Sequence, residues 1–212
     1  MRSPLAERER ERLIAAILPD VAFDGWTLRA LRHAARRADI PAEQAIALFP
    51  GGAPDLVAAF SHWADRQMLE GLENAFADPV SLSRRVQLAL RLRFEVLLPW
   101  REAARRGLSV LAMPHNAPLG LRLLYDTVDA VWRGVGDHPT DFSFYTKRVS
   151  LAGIQAAATL YWLDDRSPGF ADTQAFIDRR LADLHRLTGW RERLAATADR
   201  LPNPLRLLRP SR

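Results

Sequence analysis

The sequence contains no cysteine in 212 residues and little glycine, at 11 residues. The absence of cysteine excludes a disulfide framework, a thiolate zinc site and a thiol nucleophile. Alanine and leucine dominate the 48% of residues that are hydrophobic, and β-branched residues rarely cluster. This balance favours helices over sheets, so the composition predicts an all-α protein.

Long hydrophobic runs are also missing. Uncharged runs are no longer than 15 residues, as at residues 149–163, whereas a helix needs about 20 apolar residues to cross a bilayer. Residues 1–12 are dense in arginine and glutamate and contain no apolar run of the signal-peptide kind. We therefore expect any contact with a membrane to be peripheral.

Residue patterns typical of catalytic or metal sites are absent from the sequence. The five histidines show neither the His-x-x-x-His nor the Glu-x-x-His spacing that helical zinc and di-iron sites need. There is no glycine-rich phosphate loop and no Gly-x-Ser-x-Gly. We predict a protein that is not an enzyme, with no catalytic residue, no metal and no cofactor.

Apolar spacing and helix breakers predict nine to ten helices and no convincing strand. In the first helix, an apolar stripe over residues 13–18 is followed by the breakers Pro19 and Gly25. Asp78-Pro79 is typical of a cap and a helix start. Further helices are predicted at about 27–37, 41–48, 56–68, 86–98, 100–113, 121–135, 143–164 and from 176. The wide apolar arcs of 121–135 and 143–164 predict helices that are buried on most sides.

Residues 23–60 resemble the helix-turn-helix head of TetR-type bacterial regulators, in which a third short helix reads the major groove. Here that helix, residues 41–48, carries no cation, and Glu43 would face phosphates unfavourably. The basic side chains lie on the preceding helix: Arg32, Arg36 and Arg37. We interpret the head as a scaffold that does not bind nucleic acid; the alternative is a TetR-type ligand-responsive transcriptional regulator.

Residues 107–148 carry several short strings that occur together in one known family. These strings are Met113-Pro114-His115-Asn116-Ala117-Pro118, Asp129 with Trp132, Gly136-Asp137, Thr140-Asp141-Phe142, Tyr145-Thr146 and Arg148. Three more lie earlier: Leu18-Pro19, Phe23-Asp24-Gly25-Trp26-Thr27 and Leu48-Phe49-Pro50. In this order they resemble the lipid-binding accessory protein of ubiquinone biosynthesis, a family with a TetR-like fold.

This resemblance implies a homodimer that binds isoprenoid quinone intermediates in an apolar pocket. It also implies delivery of the lipid to a partner, the di-iron demethoxyubiquinone hydroxylase, and contact with a membrane surface through a C-terminal amphipathic helix. The bound molecule would be an isoprenoid or a phospholipid. The expected location is cytoplasmic and peripheral on the inner membrane of a bacterium, or on the matrix side of the mitochondrial one. An enzyme acting on a quinone precursor is a further alternative.

Two groups of candidate site residues follow from the resemblance. The partner-binding candidates are Met113, Pro114, His115, Asn116, Asp137, Asp141 and Tyr145. The lipid-binding candidates are Leu111, Trp132, Phe144, Leu151 and Ile154. For each group an ordinary structural role stays open, because Pro114 and Asn116 suit a helix junction and apolar stripes usually form a filled core.

The last segment combines tryptophan, leucine and arginine in the way that membrane-surface helices do. Its candidate membrane-contact residues are Trp190, Arg193, Leu194, Leu201, Leu205 and Leu208. Pro202 and Pro204 would interrupt a helix there, which predicts a membrane helix shorter than the one usual in the family. The alternative is a frayed, solvated tail. We therefore predict three parts: a head at 1–52, a lipid-binding bundle at 53–189 and a membrane-contact tail at 190–212.

Overall fold

The computed structural model describes residues 4–75, 81–136 and 143–198, except for the side chains of residues 143–147, 185 and 187–198. Within these ranges the chain forms nine α-helices and no strand, which confirms the predicted all-α class. The helices are α1 (Pro4–Asp24), α2 (Leu28–Arg37), α3 (Ala42–Leu48), α4 (Ala53–Glu73), α5 (Leu82–Leu97), α6 (Arg101–Leu111), α7 (Ala117–Gly134), α8 (Ser143–Asp164) and α9 (Ala171–Ala198). Short 3-10 turns at Leu98–Trp100, Pro114–Asn116 and Pro168–Phe170 join neighbouring helices.

Helices α1, α2 and α3 pack together as the predicted helix-turn-helix head. The Thr27 hydroxyl accepts a hydrogen bond from the backbone N–H of Ala30 at 3.2 Å, which caps α2 as predicted. Arg10 of α1 is buried, lies 4.2 Å from the centre of the Phe49 ring and donates to the backbone oxygen of Leu48. A cation of the head therefore serves internal packing.

The prediction that Pro19 breaks the first helix is wrong. Helix α1 runs through Pro19 to Asp24 and ends before Gly25, which has a positive φ of 68°. Proline leaves the carbonyl of Ala15, four residues earlier, without its helical donor. Ala15 and Pro19 both lie on the exposed face, where water can satisfy that carbonyl. The buried side chains before and after the proline hold the helix together: Leu13, Ile14, Ile17, Leu18 and Val21.

Helix α5 begins at Leu82. Its N-cap is Ser81, whose hydroxyl accepts from the backbone N–H of Arg84 at 3.4 Å. The predicted cap and start, Asp78-Pro79, lies outside the described residues. By contrast, α8 spans the residues predicted for the most apolar helix.

Helix α4 lies at the centre of the bundle and packs against α1, α5 and α7. The buried hydrophobic side chains from α1 to α9 form one cluster, so the head and the bundle share a core. The predicted boundary at residue 52 coincides with the start of α4. The predicted boundary at residue 190 lies inside α9, which continues to Ala198.

The prediction that α7 and α8 are buried on most sides is wrong for one face of each helix. Leu121 of α7 is 70% exposed, and Val149 and Leu160 of α8 are 73% and 65% exposed. Tyr125 and Tyr161 are exposed beside them. These side chains therefore form apolar surface outside the core, which in a folded domain is typical of a functional surface.

The turn between α8 and α9 is organised by the buried carboxylate of Asp165. It accepts hydrogen bonds from the backbone N–H groups of Ser167 and Thr173 at 2.7 and 2.8 Å and from both of their hydroxyls. Burial alone would raise the pKa of Asp165, but these hydrogen bonds outweigh it and lower the pKa to about 2. The charged form therefore fixes the start of α9.

We expect Asp165→Asn to lower the free energy of unfolding by about 2 kcal/mol at neutral pH, the equivalent of its pKa shift. Because the folded pKa lies below the ordinary value of 3.8, this stability is present above pH 3.8 and is lost as the pH falls towards 2. Urea unfolding at neutral pH and near pH 2 measures both values. Asp164→Asn, at the exposed neighbouring residue, is the control. An Asp165→Asn deficit that is equally large near pH 2 would contradict the assignment.

Candidate functional site

A pocket of about 580 Å³ lies inside the bundle, with walls from α4, α5, α6, α7 and α8. This volume falls within the range of small-molecule sites in proteins. Its apolar wall is lined by several leucines, among them Leu97, Leu108, Leu111, Leu123 and Leu124. The apolar helices therefore enclose a space as well as a filled core.

The mouth of the pocket is apolar. Among the residues that line the pocket, those exposed to solvent are Ala112, Ala117, Leu121 and Leu160. They come from the end of α6, from α7 and from α8, and they include part of the exposed apolar surface of the last two helices. A ligand that enters the pocket must therefore pass between apolar side chains.

The floor of the pocket, formed by its buried lining residues, contains a closed ionic network. The Arg93 Nε atom donates to Asp65 Oδ1 at 2.7 Å, and both side chains are buried. Arg93 Nη2 donates to the hydroxyls of Ser61 and Thr127 at 3.2 and 3.3 Å, and the Thr127 hydroxyl donates to the Asp65 carboxylate at 3.0 Å. The positive and negative charges cancel, so the floor is polar but has no net charge.

Helix α8 brings a second polar group to the floor. Gln155, Thr159 and Trp162 are spaced four and three residues apart, so they share one face of the helix, and all three line the pocket. The Gln155 Nε2 atom donates to Thr159 Oγ1 at 3.3 Å, and that hydroxyl donates to the Gln155 backbone oxygen at 2.8 Å. Among the described residues, Gln155 Oε1 and Trp162 Nε1 have no hydrogen-bond partner, although both atoms are buried.

The predicted lipid-binding residues divide between the pocket and the core. Leu111 lines the pocket, whereas Trp132, Leu151 and Ile154 lie in the buried core cluster. The side chain of Phe144 is outside the described part of the chain. Contact of these five residues with a lipid stays a prediction. Gln155 and Trp162 were not among the residues predicted from the sequence. Their spacing along a very apolar helix is the pattern that could have indicated them.

The predicted partner-binding residues at the junction of α6 and α7 differ in exposure. Met113, Pro114 and His115 are exposed, whereas Asn116 is buried and its Nδ2 atom donates to the backbone oxygen of Val110 at 2.9 Å. Asn116 stands at the N-cap position of α7, as an ordinary helix junction predicts, but its side chain makes no capping hydrogen bond.

The side chains of the other partner-binding candidates are not covered by the described part of the chain. Asp137 and Asp141 lie outside the described residues, as does the side chain of Tyr145. Nearby, the buried Arg148 pairs with Asp129, with Nη2 and Oδ1 separated by 2.8 Å. Binding of a partner by this group stays a prediction.

The membrane-contact candidates fall at or beyond the end of α9. Trp190, Arg193 and Leu194 lie within the helix, but their side chains are not described, and Leu201, Leu205 and Leu208 lie outside the described residues. None of the helices in the described ranges combines the length and the apolar character needed to span a membrane. Among the same residues, no three histidine, aspartate or glutamate side chains are grouped so that they could hold a metal ion.

The exposed surface of α3 lacks the chemistry of a DNA-reading helix. Its exposed residues are Glu43, Gln44 and Ala47. The Gln44 amide, the side chain best suited to contact a base edge, instead donates to the carboxylate of Glu9 at 2.8 Å. Two carboxylates at this surface would repel the phosphates of DNA.

Comparison with a solved structure identifies the architecture. The TetR transcriptional regulator from Nitrosomonas europaea ATCC 19718 matches with a TM-score of 0.64 over 82% of this chain and 95% of that chain. Sequence identity is 20%, so the likeness concerns the fold alone. The predicted TetR-like class is confirmed: this is an all-helical protein of TetR-like architecture with a ligand-sized apolar pocket.

Sequence comparison assigns the family. The COQ9 family model matches residues 117–188, which cover α7, α8 and the first part of α9. The mitochondrial ubiquinone biosynthesis protein COQ9-B of Xenopus laevis is 30% identical over 91% of this chain and 68% of that protein. The rat and bovine COQ9 proteins are 30% and 29% identical over 92% of this chain. The chain belongs to the COQ9 family, and it spans about 63–64% of the length of the bovine and rat relatives.

Proposed function

We propose that this chain is a non-enzymatic accessory protein of ubiquinone biosynthesis. In this proposal it binds an isoprenoid quinone intermediate and presents it to the demethoxyubiquinone hydroxylase. The observation that carries the proposal is the pocket of about 580 Å³ with an apolar mouth. The pathway is proposed because the similar bovine and Xenopus laevis proteins are named as ubiquinone biosynthesis proteins.

The chemistry of the pocket suits an isoprenoid. Burial of apolar surface is favourable by about 25 cal/mol per Å², and the leucine-lined wall offers such burial to branched hydrocarbon units. The exposed mouth residues Leu121 and Leu160 provide an apolar entry from a membrane surface. A peripheral contact with the bilayer, and a homodimer, belong to the same proposal.

The junction of α6 and α7 supports delivery to a partner. Ala112 and Ala117 line the mouth of the pocket. Ala112 lies immediately before the exposed Met113, Pro114 and His115, and Ala117 follows them after the buried Asn116. A protein that docks on this turn would therefore stand beside the opening. Exposed apolar groups on a turn constrained by proline suit such a contact.

The test is to purify the full chain from cells that make ubiquinone and to extract it with organic solvent. Mass spectrometry is expected to identify an isoprenoid with a quinone-type ring, at near one molecule per chain. Recovery of an empty protein, or of a random mixture of membrane lipids in place of this class, would contradict the proposal.

A further inference from the structure

We infer that the pocket takes its ligand ring-first, and that Gln155 and Trp162 select an uncharged aromatic ring that carries a hydroxyl group together with a second ring oxygen. The inference rests on the proposed function and adds the orientation and the preferred redox form of the ligand. A reduced quinol or a phenol precursor has such a ring, whereas an oxidised quinone without a hydroxyl group does not.

The distribution of polar side chains sets the orientation. The lining residues that are exposed at the mouth are apolar, as Leu121 and Leu160 illustrate. The polar lining residues that are buried lie at the floor: Arg93, Thr127, Gln155 and Trp162. A ligand with one polar end matches this gradient only when the polar end lies at the floor and the isoprenoid tail extends to the mouth.

The ionic network selects against a charged head group. Arg93 already has its carboxylate in Asp65 at 2.7 Å, and the hydroxyls of Ser61 and Thr127 accept its other hydrogen bonds. Arg93 is the one cation among the described residues that line the pocket, so a phosphate at this depth would meet no unpaired cation there and would lose its hydration. The floor therefore favours an uncharged ring over the head group of a phospholipid.

Two buried atoms at the floor define the hydrogen bonds that the ring must supply. Gln155 is 2% exposed and Trp162 is 0% exposed, and within the described part of the chain neither Gln155 Oε1 nor Trp162 Nε1 has a partner. Gln155 Oε1 can only accept, and Trp162 Nε1 can only donate. Leaving such groups unpaired is costly, so a ligand that displaces the side chains covering these two atoms and completes both bonds is favoured.

A hydroxylated ring completes both bonds, and an oxidised quinone completes one. The ring hydroxyl donates to Gln155 Oε1, while a second ring oxygen accepts from Trp162 Nε1. An oxidised quinone has only acceptor oxygens, so Gln155 Oε1 stays unpaired beside it. The loss of one buried hydrogen bond corresponds to about a tenfold difference in affinity between the two redox forms.

The experiment measures binding of one probe, a decyl-chain ubiquinone analogue, in its oxidised and its chemically reduced form. The full chain is titrated under anaerobic conditions by isothermal calorimetry. The wild type is expected to bind the reduced form about tenfold more tightly. Gln155→Leu is expected to remove this preference by weakening the reduced form alone, and Trp162→Phe to weaken both forms by a similar factor. Trp26→Phe, at a buried tryptophan outside the pocket lining, is the matched control and should change neither.

The outcomes separate this inference from the proposed function. Equal affinity of the wild type for both forms, unchanged by Gln155→Leu, would mean that the ring is not bound at the floor, and would overturn the inference while isoprenoid binding stands. Absence of binding of either form would overturn the proposed function as well. Displacement of the reduced probe by a short-chain phosphatidylglycerol at equal concentration would contradict selection for an uncharged head. Circular dichroism melting curves of each variant establish that it is folded.

Discussion

Replacement of Asp65 by alanine is expected to lower the free energy of unfolding by about 3–5 kcal/mol, the largest effect of any substitution proposed for this chain. The reason is the buried ion pair with Arg93, in which the two side chains are separated by 2.7 Å. Without Asp65, the Arg93 guanidinium stays charged in the core, and the Thr127 hydroxyl loses its carboxylate acceptor. An unpaired buried charge costs far more than the ion pair contributes.

Urea unfolding followed by circular dichroism measures this loss. The matched control is the double variant Asp65→Leu with Arg93→Met, which removes both charges and fills the space with apolar groups. It is expected to recover much of the lost stability, since a buried pair replaced by hydrophobic residues is often neutral. If the free energy of unfolding of Asp65→Ala lies within about 1 kcal/mol of the wild-type value, the ion pair is in contact with water, and its burial does not isolate it.

The second large effect concerns the pocket. Ala156→Phe is expected to reduce the amount of bound isoprenoid at least tenfold, because Ala156 lines the pocket and a phenyl ring there occupies space that the ligand needs. A tenfold loss corresponds to about 1.4 kcal/mol of binding free energy. The overall fold should tolerate the change, since the new ring enters a cavity and displaces no packed side chain.

Ala157→Phe is the matched control, because Ala157 is the next residue of α8, is exposed and does not line the pocket. Lipid extracted from equal amounts of the wild type and the two variants is quantified by mass spectrometry. Equal lipid content in both variants and the wild type would mean that the ligand binds elsewhere on the protein.

Parts of this fold could be predicted from local sequence alone. The Thr27 cap of α2, the extent of α8 and the all-α class follow from side-chain chemistry and apolar periodicity, which act within a few residues. The lack of a cation on α3 could be read directly, and the tertiary structure adds that Gln44 is already bonded to Glu9. The family could be recognised because its characteristic strings are short and local.

Other features depend on contacts between distant residues. Pro19 stays within α1 because side chains before and after it are buried against other helices. A rule that treats proline as a helix breaker from local sequence does not include this packing. Apolar stripes on α7 and α8 predict burial, yet Leu121 and Leu160 lie at the mouth of a pocket. An apolar stripe has the same periodicity whether it meets a packed core, a cavity or a surface that binds a partner.

The sequence by itself determined the helical class, the lack of positively charged residues on α3 and the membership of the COQ9 family. Tertiary structure alone decided that Asp65 and Arg93 neutralise each other and that Gln155 and Trp162 share the floor of a pocket. The physical reason is distance along the chain, because Asp65 and Arg93 are 28 positions apart in the sequence. Only the packing of α4, α5 and α8 around one space gives these side chains a common environment.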